Sequence, residues 1–323
     1  MELAGEIVDK TDLKECPICK SGTFIRTHFS NKSKNLSACP TCLAIFQNPR
    51  FIESDYGDVN LESNEFLKKK TFYGDWEGGP NPEWIRTFYK NFAVRLKSLC
   101  NTQENSKKKA LDIGCAVGML LEIWGNLEFE PYGIETSRFG AEKAKKHGEV
   151  FIGELEQYNP PHQFDVITIT SVLEHMAFPL QTIKKMIALL KEGGVLGIEI
   201  PVNEIKRIRL QNLFIENINL PEGHIFFFNR LNIQKMLSYL EGVNIYVDYF
   251  GIISNKECRH AFVRESVLNK FLIKTVISIL DLVPFTEKML GLEFFARIII
   301  KKPTSSSRQC FLSSTEDPIN VSL

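Results

Sequence analysis

From Ala110 onward, apolar residues fall into short unbroken runs separated by stretches in which they recur every three or four positions. The runs Ala110 to Ile113, Pro131 to Ile134, Val150 to Ile152, Phe164 to Thr170 and Val195 to Ile200 have strand length. Between them, Val117 to Gly125, Arg138 to Lys146 and Leu180 to Leu190 carry helical spacing. A strand without polar alternation is buried on both faces, and strands alternating with helices wind into right-handed βαβ units. The pattern therefore predicts an α/β fold with a doubly wound parallel sheet. After Pro201 it predicts a mixed loop, a helix from Leu231 to Leu240, a strand from Val243 to Phe250, an amphipathic helix near Val267 to Leu282 and a last strand, Phe294 to Ile300. The Ser-rich stretch Pro303 to Leu323 is expected to be disordered.

The pattern before Ala110 is different. Glu83 to Leu99 repeats apolar residues at helical spacing (Trp84, Ile85, Phe88, Phe92, Val94, Leu96), and Asn101 to Lys109 is a polar, basic loop. Phe51 to Gly79 reads as a connector that ends in the breaker Gly78-Gly79-Pro80-Asn81-Pro82. Its late aromatic cluster, Phe72, Tyr73 and Trp76, suits either packing of the first segment against the sheet or a lid over an acceptor. No run reaches the ~20 apolar residues of a bilayer span, because Lys274, Asp281 and Pro284 interrupt the most apolar stretch, Phe271 to Phe285. Met1 to Lys14 lacks a charged start followed by an apolar run, so the sequence predicts no signal peptide, no membrane insertion and a cytoplasmic location.

Four of the eight cysteines form two C-x2-C knuckles, Cys16-Pro17-Ile18-Cys19 and Cys39-Pro40-Thr41-Cys42, with 19 residues between them. That spacing is expected of a tetrathiolate zinc ribbon, in which a closed tetrahedron leaves no position for substrate, so the metal is structural. Two disulfides, or thiols with no ligand, are the alternative readings. Between Cys16 and Arg50 stand five bases (Lys20, Arg26, Lys32, Lys34, Arg50) and no acid. They form either a solvated face or a patch that steers phosphates.

Composition then removes several classes of function. The 323 residues, 44% of them hydrophobic, suffice for about two domains of ~150 residues with a sizeable core. Lys and Arg total 39, as do Asp and Glu, so the whole molecule exerts no long-range pull on polyanions. That argues against a nucleic-acid partner.

In an open parallel sheet the ligand sits beyond the carboxyl ends of the strands. The first predicted strand ends in Leu111-Asp112-Ile113-Gly114-Cys115-Ala116-Val117-Gly118, where Gly114 and Gly118 let the backbone turn tightly and Ala116 is small enough to do nearly the same. This is not the G-x-G-x-x-G spacing that seats a pyrophosphate, and Asp112 would repel one. An acid beside bare backbone suits an ammonium group. Glu135, ending the second strand, is placed to accept both hydroxyls of a ribose. Glu154 and Leu155, after the third, suit an adenine amine and its ring.

An ammonium, a ribose and an adenine without phosphates describe S-adenosylmethionine, and residues 110 to 200 resemble the class I S-adenosylmethionine-dependent methyltransferases. Phe164-Asp165-Val166-Ile167 with Ser171-Val172-Leu173-Glu174-His175-Met176 is similar to that family's fourth strand and following loop, and Leu190-Lys191-Glu192-Gly193-Gly194 to the turn before its fifth strand. His224-Ile225-Phe226-Phe227-Phe228-Asn229, Asn48-Pro49-Arg50 and the paired knuckles resemble a zinc-ribbon subgroup from bacterial biosynthetic and surface-polysaccharide clusters. Departures are Ala116 for the family's usual glycine and Glu192 for its usual proline.

The resemblance implies a Rossmann-like, mostly parallel sheet of seven strands preceded by a small zinc ribbon. The resulting division is a ribbon over 1–50, a connector and helical lid over 51–105, a methyltransferase domain with substrate-side insertions over 106–301, and a tail over 302–323. It also implies Asp112, Gly114, Ala116, Gly118, Glu135, Glu154, Leu155 and Ser171 as the cofactor site, and an O or N atom of a small or carrier-linked acceptor, such as a sugar nucleotide or glycan, as the methyl target. An RNA methyltransferase with the ribbon on RNA, and a non-catalytic ribbon-bearing binding protein, are the alternatives. His224 and His175 are the candidate bases, since imidazole is poised near neutral pH. Their structural readings are a histidine holding a loop and a turn closing the cofactor pocket. Phe226, Phe227 and Phe228 run consecutively, so at least one is expected to face outward or into a pocket.

Overall fold

The computed structural model describes residues 10–11, 13–23, 25–26, 36–48, 50–51, 83–102, 107–202, 224–250 and 295–304. The aromatic cluster at 72–76, the helix expected at 267–282 and most of the Ser-rich tail lie outside the described residues. In the amino-terminal part, β1 (Lys10–Thr11) pairs with β5 (Arg50–Phe51), and β2 (Ile25–Arg26), β3 (Leu36–Ala38) and β4 (Ile45–Gln47) form antiparallel ladders.

Helix α1 (Glu83–Leu99) follows, burying Ile85, Phe88, Tyr89, Phe92, Ala93 and Leu96 along one stripe. Then come β6 (Lys109–Ile113), α2 (Met119–Asn126), β7 (Glu130–Glu135), α3 (Arg138–Ala144), β8 (Glu149–Ile152), β9 (Phe164–Thr170), α4 (Pro179–Leu189) and β10 (Leu190–Pro201). The described remainder holds β11 (Phe226–Phe227), α5 (Arg230–Leu237), β12 (Asn244–Phe250) and β13 (Phe295–Lys301).

Seven strands make one sheet in the order β12-β13-β10-β9-β6-β7-β8. The five central strands run parallel, and β13 is antiparallel to both β10 and β12. Alternate residues feed two cores. Leu111, Ile167 and Leu196 point into one, while Ala110, Val166 and Val195 join α1 and α2 in the other. Burial on both faces is why these strands read as unbroken apolar runs. The chain order reverses between β9 and β6, so the strand ends that open onto a ligand are theirs.

The amino-terminal sheet is completed from far along the chain. β11 adds antiparallel to β4, with Phe226 opposite Phe46, and the Gln47 amide donates to the Ile225 carbonyl at 2.9 Å. The Asn229 side chain donates to the Leu43 carbonyl at 2.6 Å, and the Tyr239 hydroxyl to the Cys19 carbonyl at 3.2 Å. None of the three phenylalanines faces outward, each being at most 2% exposed. Phe226 and Phe228 stack on one face at 5.9 Å, and Phe227 turns to the other, toward His224. Alternation sends them to opposite faces as expected, but the strand lies between the cysteine-bearing sheet and the main domain, so both faces are covered.

Candidate functional site

The two cysteine knuckles are built alike. Lys20 and Leu43, each just past the second cysteine of its pair, adopt left-handed φ values of 61° and 56°. The Lys20 and Leu43 amides donate to the Cys16 and Cys39 carbonyls, both at 2.9 Å, while the Cys16 and Cys39 amides donate to Ser21 and Ala44. Each turn aims its two sulfurs at one point, where Cys16 and Cys42 come within 3.7 Å and Cys19 and Cys39 within 3.4 Å. Zinc bonds of ~2.3 Å in a tetrahedron put sulfurs about 3.8 Å apart, so the cluster fits that metal. Hydrogen bonding with Cys42 holds Cys16 down to about 5, whereas burial lifts Cys19 to about 11. A cation among the four sulfurs would let all of them ionise together.

At the end of β6, Gly114, Ala116 and Gly118 have φ values of 71°, 48° and 88°. A Cβ on Gly114 would run into the Val172 side chain, and Gly118 caps α2 from the left-handed region. Ala116 takes the same region with its methyl in place, which places a small strain of about 1 kcal/mol in the loop. Glu135, ending β7, ties the loop down. Its Oε2 accepts the Ala116 amide and its Oε1 the Ser137 amide, both at 2.8 Å. Oε1 also accepts the Thr136 hydroxyl at 3.5 Å, and Oε2 keeps a further lone pair for a ligand hydroxyl.

Asp112 is 3% exposed, and its Oδ1 accepts the Thr168 hydroxyl at 2.7 Å. Burial, with the Glu135 charge adding, pushes its carboxyl up to about 7 despite that hydrogen bond; burial likewise raises Glu135. Among the described residues no lysine or arginine pairs with either acid. Two acids raised by burial, next to a loop without a basic side chain, fit the cationic, phosphate-free end of S-adenosylmethionine.

The Gly153 amide donates to the Glu135 carbonyl at 3.0 Å, which brings the start of the next loop beside the cradle. There Glu154 is half-buried, and Leu155 is 1% exposed within the core. Ser171, after β9, has φ 53° and donates its amide to the Glu199 carbonyl at 2.9 Å. The next residue, Val172, is the side chain packed on Gly114. The two candidate bases meet edge to face, with ring centroids 4.9 Å apart. His175 is exposed and His224 half-buried.

Sequence reasoning missed Thr168, Ser137 and Glu174. Ser137 had a readable signal, since it is the N-cap of α3, its hydroxyl accepting the Gly140 amide at 3.2 Å. Thr168 and Glu174 had none beyond a polar residue inside an apolar run.

The sheet, the reversal between β9 and β6, the glycine-bearing loop and the strand-end acids define a class I S-adenosylmethionine-dependent methyltransferase domain. Residues 85–240 match the family model described as a methyltransferase domain. The chain is 30% identical over 147 residues to the mitochondrial ubiquinone biosynthesis O-methyltransferase of Schizosaccharomyces pombe, covering 41% of this chain and 52% of that one. It is 24% identical over 200 residues to the ubiquinone biosynthesis O-methyltransferase of Burkholderia ambifaria, covering 58% and 85%. Among solved structures, the magnesium protoporphyrin IX methyltransferase from Synechocystis superposes with a TM-score of 0.48 at 14% identity, over 78% of this chain and 100% of the other. The chain spans about half the length of the first of these curated relatives. Among the described residues no helix is long and apolar enough to cross a membrane.

Proposed function

We infer that the protein transfers the methyl group of S-adenosylmethionine to a hydroxyl oxygen of a small or carrier-linked metabolite, of the sugar nucleotide or glycan class, and that its four cysteines hold a structural zinc. The observation that carries the donor is the pair of buried acids, Asp112 and Glu135, which among the described residues have no lysine or arginine partner and flank a bare backbone loop. Oxygen as the target is supported by the names of the relatives from S. pombe and B. ambifaria, both O-methyltransferases.

When bound, the cofactor supplies a methyl group on a positively charged sulfur, and its displacement consumes that charge. The protein's part is alignment and exclusion of water, which together can supply ~7 to 11 kcal/mol in favourable cases. Glu135 holds the ribose, Asp112 balances the ammonium, and the loop at Gly114 fixes the donor against β6. The acceptor then enters from the side of His175 and His224, where its proton leaves.

Titration calorimetry with S-adenosylhomocysteine tests the donor site. Losing charge-assisted hydrogen bonds to Glu135 costs about 1.5 to 3 kcal/mol, so Glu135→Ala should weaken binding roughly 10- to 100-fold without unfolding the chain. Wild-type protein that takes up no ligand, or a variant that binds equally well, refutes the reading. With binding established, transfer of labelled methyl to a panel of sugar nucleotides and phenols separates the acceptor classes.

A further inference from the structure

The turn after β9 brings together groups that the cofactor cradle does not use. Leu173–His175 forms one 3-10 turn in which Glu174 is 1% exposed and its Oε2 has no hydrogen-bond partner among the described residues. His224 sits across from it, with Nε2 4.0 Å from Glu174 Oε1. The Ile225 amide donates to the Glu174 carbonyl at 2.9 Å, so the backbone itself holds the two segments in register. His175 completes the group, and one donor atom from each of the three residues lies within 4.8 Å of the others.

Charge distinguishes Glu174 from the other buried acid nearby. Glu199 also lies at this end of the sheet and is 1% exposed, but Arg297 donates to it at 2.7 Å. Burial, with the charge of Glu199 adding, presses Glu174 toward its neutral form. An acid buried to this degree, with no lysine or arginine paired to it among the described residues, is costly unless something positive arrives.

We propose that Glu174, His175 and His224 form a second metal site, for a divalent transition-metal cation, separate from the four cysteines. Two imidazoles and one carboxylate are the donor set that zinc, iron(II) and manganese accept. Bonds of ~2.0 to 2.2 Å place donor atoms roughly 3 to 3.5 Å apart, so the group closes by small rotations, most easily at the exposed His175. Three protein ligands leave coordination positions open. His175 is exposed, and Val172, three residues before it, lies against Gly114 of the cofactor loop. On the methyl-transfer reading above, an acceptor hydroxyl takes an open position, and the proton it loses more readily there passes to solvent water beside the exposed His175, because both imidazoles are then ligands and not bases.

The test uses the full-length, zinc-loaded protein and Mn2+ alone, an ion that prefers nitrogen and oxygen donors to thiolates. Electron paramagnetic resonance titration should show one Mn2+ bound per chain. His175→Ala, at an exposed position, and Glu174→Gln should each weaken that binding at least tenfold while zinc content and S-adenosylhomocysteine affinity stay unchanged. Wild-type protein that leaves Mn2+ free, or variants that retain it equally, overturns the site. So does His224→Gln if it lowers turnover but leaves Mn2+ affinity intact, because the imidazole then acts as a base or holds the turn. Failure to bind S-adenosylhomocysteine bears on the methyl-transfer reading alone, since Mn2+ uptake is read without it.

Discussion

The ribbon cysteines and the strand-end groups are both buried sets of ionisable residues, and they are built on opposite principles. In the ribbon, two matching turns converge four sulfurs from every side, at separations of 3.4 and 3.7 Å across the pairs. One ion would satisfy all of them and leave nothing for a substrate. At the strand ends, Asp112 and Glu174 are as deeply buried, yet burial has pushed their carboxyls up to about 7 and about 8, and among the described residues neither has a lysine or arginine as partner. A closed set stabilises the fold, whereas an incompletely satisfied one is where a ligand is recognised.

The largest effect should come from breaking the closed set. Cys39→Ser removes one of four ligands, and because folding of such modules is coupled to metal binding, the loss can reach about 10 kcal/mol locally. Zinc content should fall and the melting temperature with it. Unchanged metal content and melting temperature would show that the four cysteines are ordinary buried thiols, and the comparison would collapse.

A smaller effect should come from the strap that joins the two sets. Phe226 lies on β11, paired with β4 of the ribbon and two residues from His224, and its ring packs against Phe46 and Phe228. Phe226→Ala should cost about 3 to 5 kcal/mol, as truncations of buried phenylalanine do. Because Ile225 bonds to both Gln47 and Glu174, the variant should loosen ribbon and turn together. Amide exchange measured on both segments checks this; faster exchange confined to the ribbon would mean that the two regions are energetically independent.

The sheet was legible because its strands are buried on both faces, which leaves an unbroken apolar run as a local signature. The knuckles were legible because a C-x2-C turn carries its geometry within four residues. What stayed hidden was non-local. Nothing near Phe226 announces that its partner is Phe46, some 180 residues earlier, and the three buried phenylalanines make sense only once that pairing is known. Glu174 looked like one polar residue in a Leu-Glu-His turn, because the Ile225 amide on its carbonyl and the charge of Glu199 near it come from later in the chain. Likewise, the strand pattern marks Asp112 as an end residue but says nothing of the Thr168 hydroxyl beneath it.

The finest distinction between the two sets is in their response to pH, and Asp112 gives its sign. Its carboxyl titrates at about 7 in the fold against an ordinary 3.8, so between those values the folded chain binds the extra proton. Stability contributed by the neutral acid is full below about pH 4 and is lost progressively as pH rises toward 7. Ligand binding should run the other way. A bound ammonium favours the carboxylate, so below pH 7 binding must release a proton, and S-adenosylhomocysteine affinity should fall by up to tenfold per unit of acidification. Above pH 7 affinity should level off. Asp112→Asn carries no proton to release, so its affinity should be lower at pH 8 and nearly flat between pH 6 and 8. Calorimetry in two buffers of different ionisation enthalpy reads the proton directly. Equal heats in both buffers at pH 6 would mean that Asp112 does not face the ligand's charge, and that its burial serves the sheet as the cysteines serve the ribbon.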